Sequence, residues 1–156
     1  MTPAAANSFS YAVFSFVTDP PRDVIVPIGV ALWSPVRRWA ELRVVTEQEQ
    51  VTGFDSNEFL PFVRLVESKL KNWMTSGKLP YSEKAVAPFT DDWWRHAREL
   101  LIHRVRLSEP RAIDCRDPDR ELERLYETIV APCRPARQAK KQNEKMSSKG
   151  RRRRSA

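Results

Sequence analysis

Apolar and polar positions along this chain first cluster, then repeat every three to four residues, then alternate, and each change of period predicts a change of element. Phe9 to Val17 is rich in aromatic and β-branched residues, the composition that strands favour. Asp19-Pro20-Pro21-Arg22-Asp23 interrupts that run, because the prolines withdraw backbone donors and the flanking acids suit a turn. Val24 to Trp33 is apolar on both faces, as in a buried central strand or one covered by helices. Pro27 and Gly29 inside it predict a bulge or a partner-free edge. Ser34-Pro35 turns the chain again, Trp39 to Thr46 reads as a third strand, and the short connections favour an antiparallel meander.

The period lengthens after Gly53. Asp55 followed by Glu58 is a capping-box-like helix start. Phe59, Phe62, Val63, Val66, Leu70 and Trp73 then mark one apolar face of a helix over 55–76, with Arg64, Glu67, Lys69 and Lys71 turned to water. Gly77 stands where such a helix stops, and Lys78 to Phe89 has two prolines and no sustained period, so it reads as a loop. Thr90-Asp91-Asp92 caps a short second helix whose Trp93, Ala97, Leu100 and Leu101 form the buried side. Ile102 to Ser108 alternates as a half-exposed strand that Ala112 to Cys115 continues beyond Pro110. Asp117-Pro118 opens a last amphipathic helix carried by Leu122, Leu125, Tyr126 and Ile129, which ends near Ala131-Pro132.

These elements predict an α+β domain: a small, mostly antiparallel sheet of four or five strands packed against two or three helices. Its bounds are 9–133, after a flexible lead-in over 1–8 and before a disordered basic tail over 134–156. Charge sharpens that boundary. The chain of 156 residues carries a formal +7, yet residues 134–156 hold ten bases and one acid, a net of +9. The other 133 residues hold 17 bases and 19 acids, a net of −2, so the folded part is slightly acidic. At 41% hydrophobic, the chain has material for a core and is not wholly disordered.

The remaining chemistry is thin. Cys115 and Cys133 are the only cysteines and complete no zinc motif, and two histidines, His96 and His103, offer no metal-binding run, so no metal site is expected. Met1 to Asn7 lacks a signal peptide's basic and apolar regions, and no apolar run reaches the ~20 residues of a membrane span, so a cytoplasmic location with both thiols free is expected. The four glycines form neither a dinucleotide fingerprint nor a P-loop, which excludes nucleotide-binding enzymes of those classes, and no cofactor is expected. His103 with Cys115 is the single nucleophile-and-base pairing the order of strands allows, and packing or exposed histidines is the reading it competes with.

Three groups of residues are candidates for binding. Arg22 and Arg111 each sit beside a proline at a strand boundary, and their guanidinium forks suit an anion or an acidic partner; pairing with Asp19 or Asp23, and with Glu109 or Asp114, is the local alternative. Trp94, if exposed, is an interface anchor. The tail, with Lys140, Lys141, Lys145, Lys149, Arg151, Arg152, Arg153 and Arg154, would attract nucleic acid or another polyanion by counterion release, or serve as a solubilising extension or an address.

Two blocks resemble a known family. Tyr11-Ala-Val-Phe-Ser-Phe-Val-Thr-Asp-Pro-Pro-Arg22, leading to Val26-Pro-Ile-Gly29-Val-Ala-Leu32, is similar to the opening of the bacterial domain-of-unknown-function family 3037. Arg106-Leu-Ser-Glu-Pro-Arg111 and Asp117-Pro-Asp-Arg-Glu-Leu-Glu-Arg-Leu-Tyr126 resemble its close, so the likeness spans about 11–130. Pro27 departs from a pattern in which a residue such as Asn often stands there. The resemblance implies no activity. It implies an accessory role beside a HipA-like kinase-fold protein, and it transfers no catalytic residue. The expected function is therefore a non-catalytic protein-interaction module, with nucleic-acid binding through the tail and a small enzyme using Arg22, Arg111 and His103 as alternatives.

Overall fold

A computed structural model describes residues 6–46, 54–101 and 104–131. Strand β1 (Ser8–Asp19) turns through a 3-10 segment at Pro20–Arg22 into β2 (Val24–Ser34), which is followed by β3 (Trp39–Val44). Helix α1 (Ser56–Ser76), helix α2 (Asp91–Leu100), strands β4 (Val105–Leu107) and β5 (Arg111–Asp114) and helix α3 (Pro118–Ile129) complete the chain order. The sheet runs β3-β2-β1, and both β4 and β5 pair with the far side of β1. All pairings are antiparallel, including those of β1, β2 and β3, for which the short connections favoured that arrangement.

Local chemistry sets the ends of these elements. Asp23 takes the left-handed conformation (φ 53°) that closes the turn after β1, and its N–H donates to the Pro20 carbonyl at 3.1 Å. Asp55 accepts from the backbone N–H groups of Asn57 and Glu58, Thr90 accepts from Trp93, and Asp117 accepts from Arg120, so each helix starts on a side-chain oxygen. Gly77 ends α1 at φ 78°, and a Cβ there would collide with the Val86 carbonyl oxygen; the Gly77 carbonyl already holds that residue by accepting from the Val86 N–H.

The bulge expected near Pro27 is present. Phe14 faces Gly29 and Ser15 faces Pro27, which leaves Ile28 as the extra residue of β2. Because β3 ends with Val44 opposite Gly29, Pro27 lies past the β2–β3 ladder. Gly29 is needed for a second reason: a Cβ would stand 2.7 Å from Val44 Cγ1.

Residues paired across a sheet share a face. One face carries Ala12, Phe14, Phe16, Ala31, Trp33, Ala40, Leu42, Val44, Val105 and Leu107, all buried. Helices α1 and α2 lie on it: the rings of Phe16 and Phe59 are 4.8 Å apart, and Trp33 stacks on Trp94 at 4.9 Å. The other face carries Val30, Leu32, Glu41 and Arg43, and α3 covers it, with the Arg43 guanidinium 3.9 Å from the centre of the Tyr126 ring and an ion pair to Glu123 at 2.8 Å. This covering on both sides buries β2 almost end to end.

Three expectations need correction. Helix α1 buries Leu60, Val63, Leu70 and Met74, a row rotated from the expected stripe; Phe59, Val66 and Trp73 are half-buried and Phe62 is 43% exposed. Leu100, expected on the buried side of α2, is exposed. Strand β3 stops at Val44 rather than Thr46, and β4 begins at Val105; Ile102 and His103 lie outside the described residues.

Candidate functional site

The expected binding residues do not form one site. Arg22 sits at the β1–β2 turn with its side chain 82% exposed and an ion pair to Asp19 at 3.6 Å. Arg111 stands opposite Tyr11, eight residues from Asp19 along β1, a separation of roughly 26 Å at about 3.3 Å per residue. The two arginines therefore cannot converge on a common anion, and the local pairing weighed for Arg22 is the one present. Trp94 is fully buried between Trp33 and Trp93, and its indole N–H donates to the Ser108 carbonyl at 2.8 Å. A side chain so enclosed is core and not an interface anchor.

The nucleophile-and-base pairing of His103 with Cys115 involves a histidine that lies outside the described residues. Burial pushes the Cys115 thiol above its ordinary range, with the carboxylate of Glu121 acting in the same direction, so it is a poor nucleophile. His96 is exposed on α2. Cys133 and the tail lysines and arginines at 140, 141, 145, 149 and 151–154 lie outside the described residues.

What the structure brings together instead is an apolar groove. It runs between the outward flank of α1 and a second side formed by Leu100, Leu101, Arg104 and Val105, with a volume of about 200 Å³. Phe62, Leu65, Val66 and Trp73 form one bank, and Leu100 and Leu101 the other. Leu65 is 52% exposed and Tyr81, at one end, is 87% exposed. Tyr81 holds φ at 54°, and its ring lies 6.5 Å from that of Trp73. Only two charged side chains among the described residues line the groove, Lys69 and Arg104, both cations. Neither makes an ion pair among the described residues. Arg104 is held in place, for its guanidinium donates to the Val17 carbonyl at 3.0 Å and lies 5.7 and 5.8 Å from the ring centres of Phe16 and Phe59.

The origin of the groove is the width of the apolar arc on α1. A helix facing one layer needs an apolar stripe a little over a quarter-turn wide, about 100°. Helix α1 instead carries Phe59, Leu60, Phe62, Val63, Leu65, Val66, Leu70, Trp73 and Met74. The sheet takes the Leu60–Met74 row, and the opposite flank is left against solvent. Leu65, an apolar residue outside the expected stripe, was the sequence signal for this surface. Tyr81 had none, because its loop has no period.

Elsewhere charged side chains pair with one another. Arg95 and Arg98 both bind Glu109, the Arg95 hydrogen bond holding that carboxyl below the usual range. Arg98 also donates to the Leu107 carbonyl at 2.7 Å, and the Trp94 indole N–H occupies the Ser108 carbonyl just past the end of β4. The Leu107 carbonyl is thereby taken up within the chain and is not open to pairing with another strand.

The chain matches, over residues 11–130, the profile of the family described as Protein of unknown function (DUF3037), and it belongs to that family. No curated protein and no solved structure matches it.

Proposed function

Since membership of an uncharacterised family supplies no activity to transfer, we propose from the groove that this protein is a non-catalytic interaction module. It docks a protein partner along the outward flank of α1. One observation carries this reading: of the large apolar side chains left exposed, Phe62, Leu65, Tyr81 and Leu100 gather at one groove. Single exposed apolar residues are ordinary, but a contiguous set rimmed by charge marks a contact surface. The described lining is apolar and cationic, which suits contact with an apolar partner surface that carries acids. We place this role in a bacterial cytoplasm, and a HipA-like kinase-fold protein is the first partner to test.

The reading is tested by affinity purification of the full chain and of a Leu65→Asp variant, at low and high salt, with mass spectrometry of what is retained. A stoichiometric protein recovered at high salt by the parent and lost with the variant supports it. Recovery of the same protein by both moves the contact away from the groove, and recovery of none overturns the reading.

A second reading has its own observation, the net +9 of residues 134–156 beside a body at −2. Nonspecific nucleic-acid binding through this tail would weaken steeply with salt. Deleting 134–156 should abolish it, and sequence-selective binding that survives the deletion would instead assign nucleic acid to the folded domain.

A further inference from the structure

If the groove docks a protein, as proposed above, its shape and charge specify the occupant. Its volume of about 200 Å³ is below the roughly 300–1,000 Å³ of pockets that enclose small-molecule ligands. It is open along α1 from Phe62 to Trp73, eleven residues or about 16 Å at 1.5 Å per residue, which is three helical turns. A furrow of that length along α1, with apolar residues on both sides, fits the ridge of a second helix.

Charge then selects which helix. Lys69 stands on the α1 bank and Arg104 on the facing bank, no carboxylate among the described residues lines the space between them, and neither cation is paired there with an acid. Arg104 is already fixed by its bond to Val17 and by two aromatic rings, so engaging it would cost little further ordering. We infer that the groove receives a helix of about three turns from a partner protein, with an apolar ridge flanked on both sides by aspartate or glutamate. As in a coiled-coil seam, the flanking charges would choose the partner.

The same charges argue against two other occupants. The chain's own segment 134–156 is strongly basic and would set cations against cations. A second copy docking groove to groove would bring two pairs of Lys69 and Arg104 together, an arrangement that like charges oppose.

The test is selection of binders to the full chain from a displayed library of amphipathic helical peptides, with flanking positions varied freely among acidic, basic and neutral residues. Peptides that still bind the Leu65→Ser, Tyr81→Ser double variant are discarded, which removes those held by the basic tail alone. Both substituted side chains are more than half exposed, so the fold persists. The expected survivors carry acids on both flanks, change Trp73 fluorescence, and lose about tenfold in affinity against Lys69→Glu. Survivors with basic or neutral flanks, or with affinity unmoved by Lys69→Glu, would overturn the charge assignment and leave helix docking standing. If no peptide distinguished the parent from the double variant, the docking reading would fall with it.

Discussion

Helix α1 carries two apolar flanks of similar composition and opposite fate. Leu60, Val63, Leu70 and Met74 are almost wholly enclosed against the sheet, whereas Phe62 and Leu65 are 43% and 52% exposed a turn away. Side-chain chemistry cannot explain the difference, because leucine occurs on both. Neighbours do: the first row meets the enclosed side of the sheet, and the second meets only the mouth between α1 and the end of α2. Identical residues thus stabilise the fold on one flank and remain available for contact on the other.

The sharpest way to break this comparison is to truncate one leucine on each flank. Leu70→Ala should destabilise by about 2–5 kcal/mol in urea unfolding, because it leaves a cavity in closed packing. A change at Gly77 is expected to rank next. Gly77→Ala should destabilise by more than about 1 kcal/mol, since φ is 78° and the added Cβ meets the Val86 carbonyl. It also tests the groove, for the displaced loop carries Tyr81, and the Trp73 emission should shift with it.

Leu65→Ala, by contrast, should stay within about 0.5 kcal/mol of the parent while weakening any groove-dependent binding. A loss as large as that of Leu70→Ala would show that the outward flank is core and that the comparison is mistaken. The smallest expected effect belongs to Glu67, which interrupts the buried row between Val63 and Leu70. Burial raises its carboxyl pKa, with Arg64 opposing. A carboxyl whose folded pKa is raised contributes stability that is fully present below its unfolded value and is lost as pH rises through the folded one. Glu67→Gln should therefore raise Tm slightly at pH 7, and the gain should vanish by about pH 4. A lower Tm at pH 7 would mean that Arg64 and Lys71 outweigh the desolvation.

Much of the fold was legible before the structure because its signals are local. The caps at Asp55, Thr90 and Asp117 and the stop at Gly77 each rest on bonds within a few residues. The all-apolar run at Val24–Trp33 read as a buried central strand or one covered by helices, and Pro27 with Gly29 predicted a bulge or a partner-free edge, of which the bulge is present. The site was less legible. Trp94 looked like an anchor, yet the orientation of α2 against Trp33 enclosed it, and no local pattern records such an orientation. Arg22 and Arg111 each sit beside a proline at a strand boundary, but β1 holds them at opposite ends.

The sequence by itself determined the α+β class, the strand and helix order, the helix ends and the separation of charge between body and tail. These come from backbone chemistry, period and composition, which act over a few residues. Only the tertiary structure decided which flank of α1 meets the sheet, whether Trp94 is core or surface, and that Lys69 and Arg104 face each other across an apolar furrow. Those outcomes depend on which layers compete for the same apolar arc, and a helix with more apolar surface than one layer can cover leaves that choice to packing.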